Sequence, residues 1–124
     1  MQINTPRRAS ASRLDATFAA LADGTRRAIV KRLSAGEASV LELAEPFAMS
    51  QPAISKHLKV LEQAGLISRP RSARRQDARI RARRFEAKPL RELNGWLDEY
   101  RKFWEGSFGQ LDELLEELKR DGSQ

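Results

Sequence analysis

The stretch Ser50-Gln-Pro-Ala-Ile-Ser-Lys-His-Leu-Lys-Val-Leu-Glu-Gln-Ala-Gly-Leu-Ile67 constrains the fold more than any other part of the chain. Ile54, Leu58 and Leu61 recur at i, i+4 and i+7, so a helix turns all three the same way. Ser50 is a suitable N-cap. Gln51 and Pro52 fall in the first turn, where a missing N–H costs little, and Gly65 fits the position just past the helix end. At 100° per residue the three apolar side chains share a narrow arc, while Pro52, Ser55, Lys56 and Lys59 lie about 100–200° away from Ile54. One face is built to pack; the other is polar or short.

What stands before and after this helix selects its context. Ser39-Val-Leu-Glu42 is a capping box that opens a helix carrying Leu43, Ala44 and Phe47, and Pro46 in its last turn keeps it short. A turn at Ala48–Met49 then leads into the helix capped by Ser50. Upstream, Leu14, Phe18 and Leu21 mark a first short helix. Asp23 caps a second from Thr25 to Leu33, with Ile29, Val30 and Leu33 inward and Gly36 at its end. Downstream, Leu66–Arg69 and Ile80–Phe85 read as two strands joined by the polar, basic Pro70–Arg79, a hairpin with a long tip. The alternation of Ile80, Ala82 and Arg84 against Arg79, Arg81, Arg83 and Phe85 leaves the facing of the second strand open.

Pro89 opens a last helix that can run to Lys119. Leu90, Leu93, Leu97, Tyr100, Trp104, Leu111, Leu114 and Leu118 follow a 3-4 spacing, widened by Trp96, Phe103, Phe108 and Leu115. Gly106 and Gly109 lie inside it and predict a bend or break there. The order is helix, helix, helix-turn-helix, hairpin, helix. It predicts a mainly α chain with a small β-hairpin, a winged helix-turn-helix. Residues 1–11, rich in Ser, Ala and Arg, are expected to be a disordered tail, and 12–120 the domain, with residues about 89–119 as its C-terminal helix.

Charge distribution narrows the function. The chain of 124 residues carries a formal net charge of +6. Residues 69–84 hold eight arginines against one acid, Asp77, whereas residues 98–121 hold eight acids against four bases. A basic block beside a helix-turn-helix pattern fits a polyanion. The chain has no cysteine, which excludes disulfides and thiolate chemistry. The N-terminus has no apolar core of a secretory signal, and no apolar run approaches the roughly 20 residues of a membrane helix. A cytoplasmic protein with no membrane partner is expected.

No catalytic constellation is present: there is no nucleophile, no glycine-rich phosphate loop, and the single histidine, His57, does not make a zinc site, which takes about four ligands. An enzyme, a metal and a cofactor are therefore not expected. The slim face of the fourth helix suits a major groove roughly 12 Å wide. Ser50, Gln51 and Ser55 can hydrogen-bond base edges or phosphates, glutamine suiting adenine, and Lys56 and Lys59 can neutralise phosphates. Arg74, Arg75, Arg79 and Arg81 are the candidate wing contacts. The aromatic stripe of the last helix, Trp96 to Phe108, could line a ligand pocket, but such stripes usually form a core. The alternative to DNA reading is a protein-interaction module on the same scaffold, working through its acidic last helix.

Three segments carry a resemblance to a known family: Leu21-Ala-Asp-Gly-Thr-Arg-Arg-Ala-Ile-Val30, the Ser50–Ile67 stretch, and Trp96-Leu-Asp-Glu-Tyr-Arg-Lys-Phe-Trp104. Over about residues 13–119 the chain resembles ArsR-type winged-helix repressors, in the subgroup without metal-binding residues. The resemblance implies a homodimer built from the first and last helices, so Leu14, Phe18, Leu93, Leu97, Tyr100, Trp104 and Leu111 are the expected interface. It implies binding to a palindromic operator of double-stranded DNA that blocks transcription of the protein's own or a neighbouring operon. It assigns Ser50, Gln51, Pro52, Ser55 and Lys56 to the major groove, and the hairpin tip from Arg71 to Arg79 to flanking phosphates or the minor groove. It names no small-molecule inducer. Metal-sensing members use cysteines in the third helix or Asp/His pairs in the last. Here the third helix reads Val40-Leu-Glu-Leu-Ala44 and the last has no histidine, so metal sensing does not carry over. Two further departures are Gly24, where the family usually has proline, and Ala48, where it usually has glycine. Ala48 strains the turn if its φ is positive.

Overall fold

A computed structural model describes residues 5–71 and 81–122, excepting the side chains of 5–10 and 106–112. The elements are α1 (Thr5–Leu21), α2 (Gly24–Ser34), β1 (Ala38–Ser39), α3 (Val40–Ala44) with a 3₁₀ turn at Glu45–Phe47, α4 (Gln51–Gln63), β2 (Ile67–Ser68), β3 (Ala82–Phe85), α5 (Lys88–Asp98) and α6 (Arg101–Gly122). They form two compact units, residues 1–92 and 93–124.

In the first unit the apolar stripes close on one core. Ile29 and Leu33 of α2, Val40 and Leu43 of α3, and Ile54, Leu58 and Leu61 of α4 are all buried, joined by Leu66 and Ile67. The helix ends match their chemistry. The Asp23 carboxylate accepts the Arg26 N–H at 3.0 Å. That bond holds its pKa below the usual carboxylate value, with the nearby Arg26 charge adding to it. Ser39 and Glu42 complete a reciprocal capping box at 3.1 and 3.2 Å. At the end of α4, Gly65 (φ 78°) donates to Glu62 O, and Leu66 to Leu61 O at 3.0 Å. This is a Schellman motif, sealed by the buried Leu61 and Leu66.

The expected strands pair antiparallel, Ile67 with Phe85 and Ser68 with Arg84. A third strand, β1, was not anticipated: Ala38 and Ser39 pair with Arg83 and Ala82, making β3 the centre of the sheet. Two residues are too few to show an alternation, and Ser39 does double duty as the α3 cap.

Two expectations are corrected, the disordered tail and the place of the last helix's break. Helix α1 begins at Thr5, inside the segment read as a disordered tail. Pro6 lies in the first turn, where it is tolerated, and no glycine or further proline interrupts the run. Helix α1 turns Thr17 and Ala20 inward, while Phe18, read as a dimer-interface residue, is 40% exposed. The Thr17 hydroxyl is satisfied by donating to Arg13 O at 3.0 Å. Finally, the last helix breaks at Glu99–Tyr100, not at its glycines. Tyr100 N–H bonds Leu97 O and Phe103 N–H bonds Tyr100 O, both at 2.9 Å, tightening the chain into i→i+3 turns. The Arg101 guanidinium ties the two sides, donating to Asn94 at 2.7 Å, Asp98 at 2.8 Å and Glu105 at 3.2 Å. Gly106 and Gly109 each weaken a helix by about 1 kcal/mol relative to alanine, but they leave its backbone bonds intact.

The two family departures have a local cost. Ala48 adopts φ 52°, ψ 34°, the left-handed region. Gly24 is the first residue of α2, preceded by Asp23 in an extended conformation that a following proline accepts. A Cβ at Gly24 meets nothing nearer than an Arg27 nitrogen at 3.6 Å. Ala48→Gly is expected to stabilise the fold by about 0.5–1 kcal/mol through relief of left-handed strain. Gly24→Pro is expected to add about 0.4–1 kcal/mol by restricting the unfolded chain. Urea titrations monitored by circular dichroism check both; a lower midpoint for either variant contradicts the account.

Candidate nucleic-acid interface

The site is built around α4. Ser50 adopts extended φ/ψ and its hydroxyl accepts the Ala53 N–H at 3.3 Å, fixing where the helix starts. With Ile54, Leu58 and Leu61 buried, the rotation of α4 is set. Pro52, Ser55, Lys56 and Lys59 then stand exposed on the opposite side, with Gln51 partly covered at the leading end. The structure therefore brings together six of the residues singled out in the sequence, Ser50, Gln51, Pro52, Ser55, Lys56 and Lys59, on one helix. Arg71 is exposed. Arg74, Arg75 and Arg79 lie outside the described residues.

Side chains from other elements hold α4 in place. Arg26, from the first turn of α2, donates from Nε to Ala20 O at 2.7 Å and from Nη2 to Ala19 O at 3.3 Å. Arg27 donates to Leu21 O at 2.7 Å. These two arginines satisfy the last carbonyls of α1, which have no partner within their own helix. The same Arg26 guanidinium reaches His57 Nδ1 on α4 at 3.3 Å. His57 is thus a packing and hydrogen-bonding residue that links α4 to the α1–α2 corner.

At the other end of α4, Glu62 joins the helix to the sheet. Its Oε1 accepts Arg83 Nε at 2.7 Å, and its two oxygens accept Arg69 Nε and Nη2, each at 3.2 Å. The Arg83 side chain is only 7% exposed. Burial pushes its pKa down, and the Glu62 carboxylate opposes that shift. On β3, Arg83 and Phe85 turn inward, whereas Arg84 is exposed and pairs with Glu86 at 3.5 Å. A cleft of about 480 Å³ lies along α4, lined by Ser55, Lys59, Glu62, Arg69 and Arg83 among others. The Glu62 clamp was not foreseen, because alternation on β3 could not say which arginine turns inward. The available signal was only that Glu62 is an acid on a basic-flanked helix.

The expected dimer residues are partly covered or exposed. Leu14 is partly buried and Phe18 exposed in the first unit. In the second, Leu93 and Leu97 are partly buried, and Trp96, Tyr100 and Trp104 are exposed, with Trp96 and Tyr100 rings 5.1 Å apart. The Leu111 side chain lies outside the described residues. Among the described residues no group of three His, Asp or Glu side chains is placed to hold a metal, and no helix is long and apolar enough to cross a membrane.

Comparison with known proteins agrees with this geometry. A family described as a helix-turn-helix domain matches residues 21–69. The HTH-type transcriptional regulator Rv2034 of Mycobacterium tuberculosis is 55% identical over 62 residues, covering 49% of this chain and 58% of that protein. The transcriptional repressor SdpR of Bacillus subtilis is 45% identical over 51 residues, covering 41% of this chain and 57% of that one. The chain thus spans a little over half the length of these two curated relatives. The crystal structure of the ArsR family transcriptional regulator RHA00566 superposes with a TM-score of 0.64 at 41% identity, covering 75% of this chain and 97% of that one.

The clamp on α4 makes one stability prediction. Glu62→Ala leaves the buried Arg83 charge without its partner and is expected to cost about 3 kcal/mol. A denaturation midpoint within error of the parent chain contradicts that role.

Proposed function

Because this chain belongs to the ArsR family of winged helix-turn-helix transcriptional regulators, we propose that it acts as a homodimeric repressor, in the cytoplasm, on a palindromic operator of its own or a neighbouring operon. Two α4 helices related by a two-fold axis would enter successive major grooves about 34 Å apart. Base edges are read by Gln51 with Ser50 and Ser55, close-packed against the groove by the short Pro52. Phosphates are met by Lys56, Lys59 and the positive N-terminal end of α4. The hairpin tip from Arg71 through Arg74, Arg75 and Arg79 reaches flanking phosphates.

The observation that carries this reading is the two-faced α4: fully buried on one side, and exposed, short and polar on the other. An ordinary surface helix has no need of so slim a face beside a basic wing. Repression is supported by the kinship with SdpR, named a transcriptional repressor. Dimerisation is supported by large exposed apolar side chains in both units: Phe18 in the first, and Tyr100, Phe103, Leu114 and Leu118 in the second. Clusters of this kind mark partner surfaces.

Footprinting on the upstream region in about 0.15 M salt tests the reading as a whole, since phosphate contacts make binding salt-dependent. The expected result is a protected palindrome with half-sites one helical turn apart. Weak, uniform binding to every fragment would favour a protein-interaction module instead. At the level of single residues, Gln51→Ala is expected to cost on the order of 1–3 kcal/mol on the operator and little on random DNA. Equal losses on both would remove Gln51 from base reading.

A further inference from the structure

Arg69 pairs with Glu62 but has no part in the DNA contacts proposed above, and it stands just after β2, beside the C-terminal end of α4. Its side chain is 42% exposed and lines the cleft that also holds Ser55 and Lys59 from the polar face of α4. It also lines an adjoining recess of about 580 Å³ with Ser68, Glu62 and Arg81.

Charge among the described residues of the first cleft is unbalanced. Among the described residues that line it, one carboxylate, Glu62, stands with Lys59, Arg69 and Arg83. Its shorter bond, 2.7 Å, goes to the buried Arg83, which cannot leave without stranding a charge. The bonds to Arg69 are longer, 3.2 Å, and half in solvent. A guanidinium presented side-on to two carboxylate oxygens is presented equally well to two phosphate oxygens.

We propose that Arg69, held ready by Glu62, is a DNA-backbone contact: its guanidinium turns to a phosphate diester lying in the cleft along α4. Glu62 is the positioning residue. Among the described residues of this cleft, Lys59, Arg69 and Arg83 outnumber Glu62, so an anion is favoured there. The inference rests on the DNA-binding reading, because the cleft adjoins the face of α4 assigned to the groove.

The test measures DNA affinity as a function of salt for the full chain, Arg69→Ala, Arg69→Gln and Arg84→Ala. Arg84 is an exposed arginine of β3 that pairs with Glu86. It controls for simple loss of charge. Thermal melts establish that each variant is folded, and Arg69→Gln keeps a hydrogen bond to Glu62 should the alanine variant fail. Arg69→Ala and Arg69→Gln are expected to bind on the order of tenfold more weakly at 0.15 M salt, equally on operator and random DNA. The slope of log affinity against log salt is expected to fall by about 1 per protomer. Arg84→Ala is expected to change both by much less. If the parent chain binds with a steep slope and the Arg69 variants match Arg84→Ala, the role of Arg69 is overturned alone. If the parent chain shows no salt-dependent DNA binding, the DNA-binding reading falls and this inference with it.

Discussion

Everything about this molecule's surface depends on the burial of Ile54, Leu58 and Leu61. Each is at most 1% exposed, and truncating a leucine so placed typically costs about 2–5 kcal/mol. That burial prevents α4 from rolling. A helix free to roll by one residue would turn a different set of side chains outward, and no polar face could keep a defined partner. The core therefore acts on function at one remove: it fixes an angle. The Schellman motif at Gly65 and the Ser50 cap add the second coordinate, the position of the helix along its own axis.

Two charged clamps complete the positioning, and they differ in kind. At the α1–α2 corner, Arg26 and Arg27 bond main-chain carbonyls that a helix end leaves open. These are neutral acceptors at a partly solvated site, and they serve geometry more than energy. At the wing, Glu62 faces a buried guanidinium, where removing one partner is far costlier than the net worth of the pair. Such a pair contributes little to stability but forbids alternatives. With Arg83 held, β3 cannot slip by one residue without pulling the Arg83 charge off Glu62 and turning Arg84 inward. The wing thus has one register relative to α4.

Much of this was legible in the chain itself because it rests on local chemistry. Caps at Asp23, Ser39 and Ser50, the stop at Gly65 and the apolar spacing of α2, α3 and α4 all act over a few residues, and each is where the pattern put it. The turn at Ala48 was also where the pattern put it, though its positive φ is a finding of the structure. Less was legible at α1, where Phe18 has the spacing of a core residue but Thr17 and Ala20 take the inward side. Small residues let α1 approach closely, and a hydroxyl satisfied within its own helix is cheap to bury. Hydrophobic periodicity ranks neither effect. The break at Glu99–Tyr100 escaped for a related reason: a guanidinium bridging Asn94, Asp98 and Glu105 leaves no periodic trace.

By itself, then, the sequence determined the order of elements, the two-faced character of α4 and the concentration of positive charge beside it, since helix periodicity, capping and composition are properties of short segments. Only the tertiary structure decided which arginine of the wing is buried, that β1 adds a third strand, and that Glu62 ties Arg83 and Arg69 to α4. The partners in those contacts lie 7 and 21 residues apart for the clamp and more than 40 apart for the pairing of Ala38 with Arg83. Contacts at such separations depend on how the core closes. Their energy comes from burial and from charge in a low-dielectric setting, neither of which a segment possesses until the rest of the chain has folded around it.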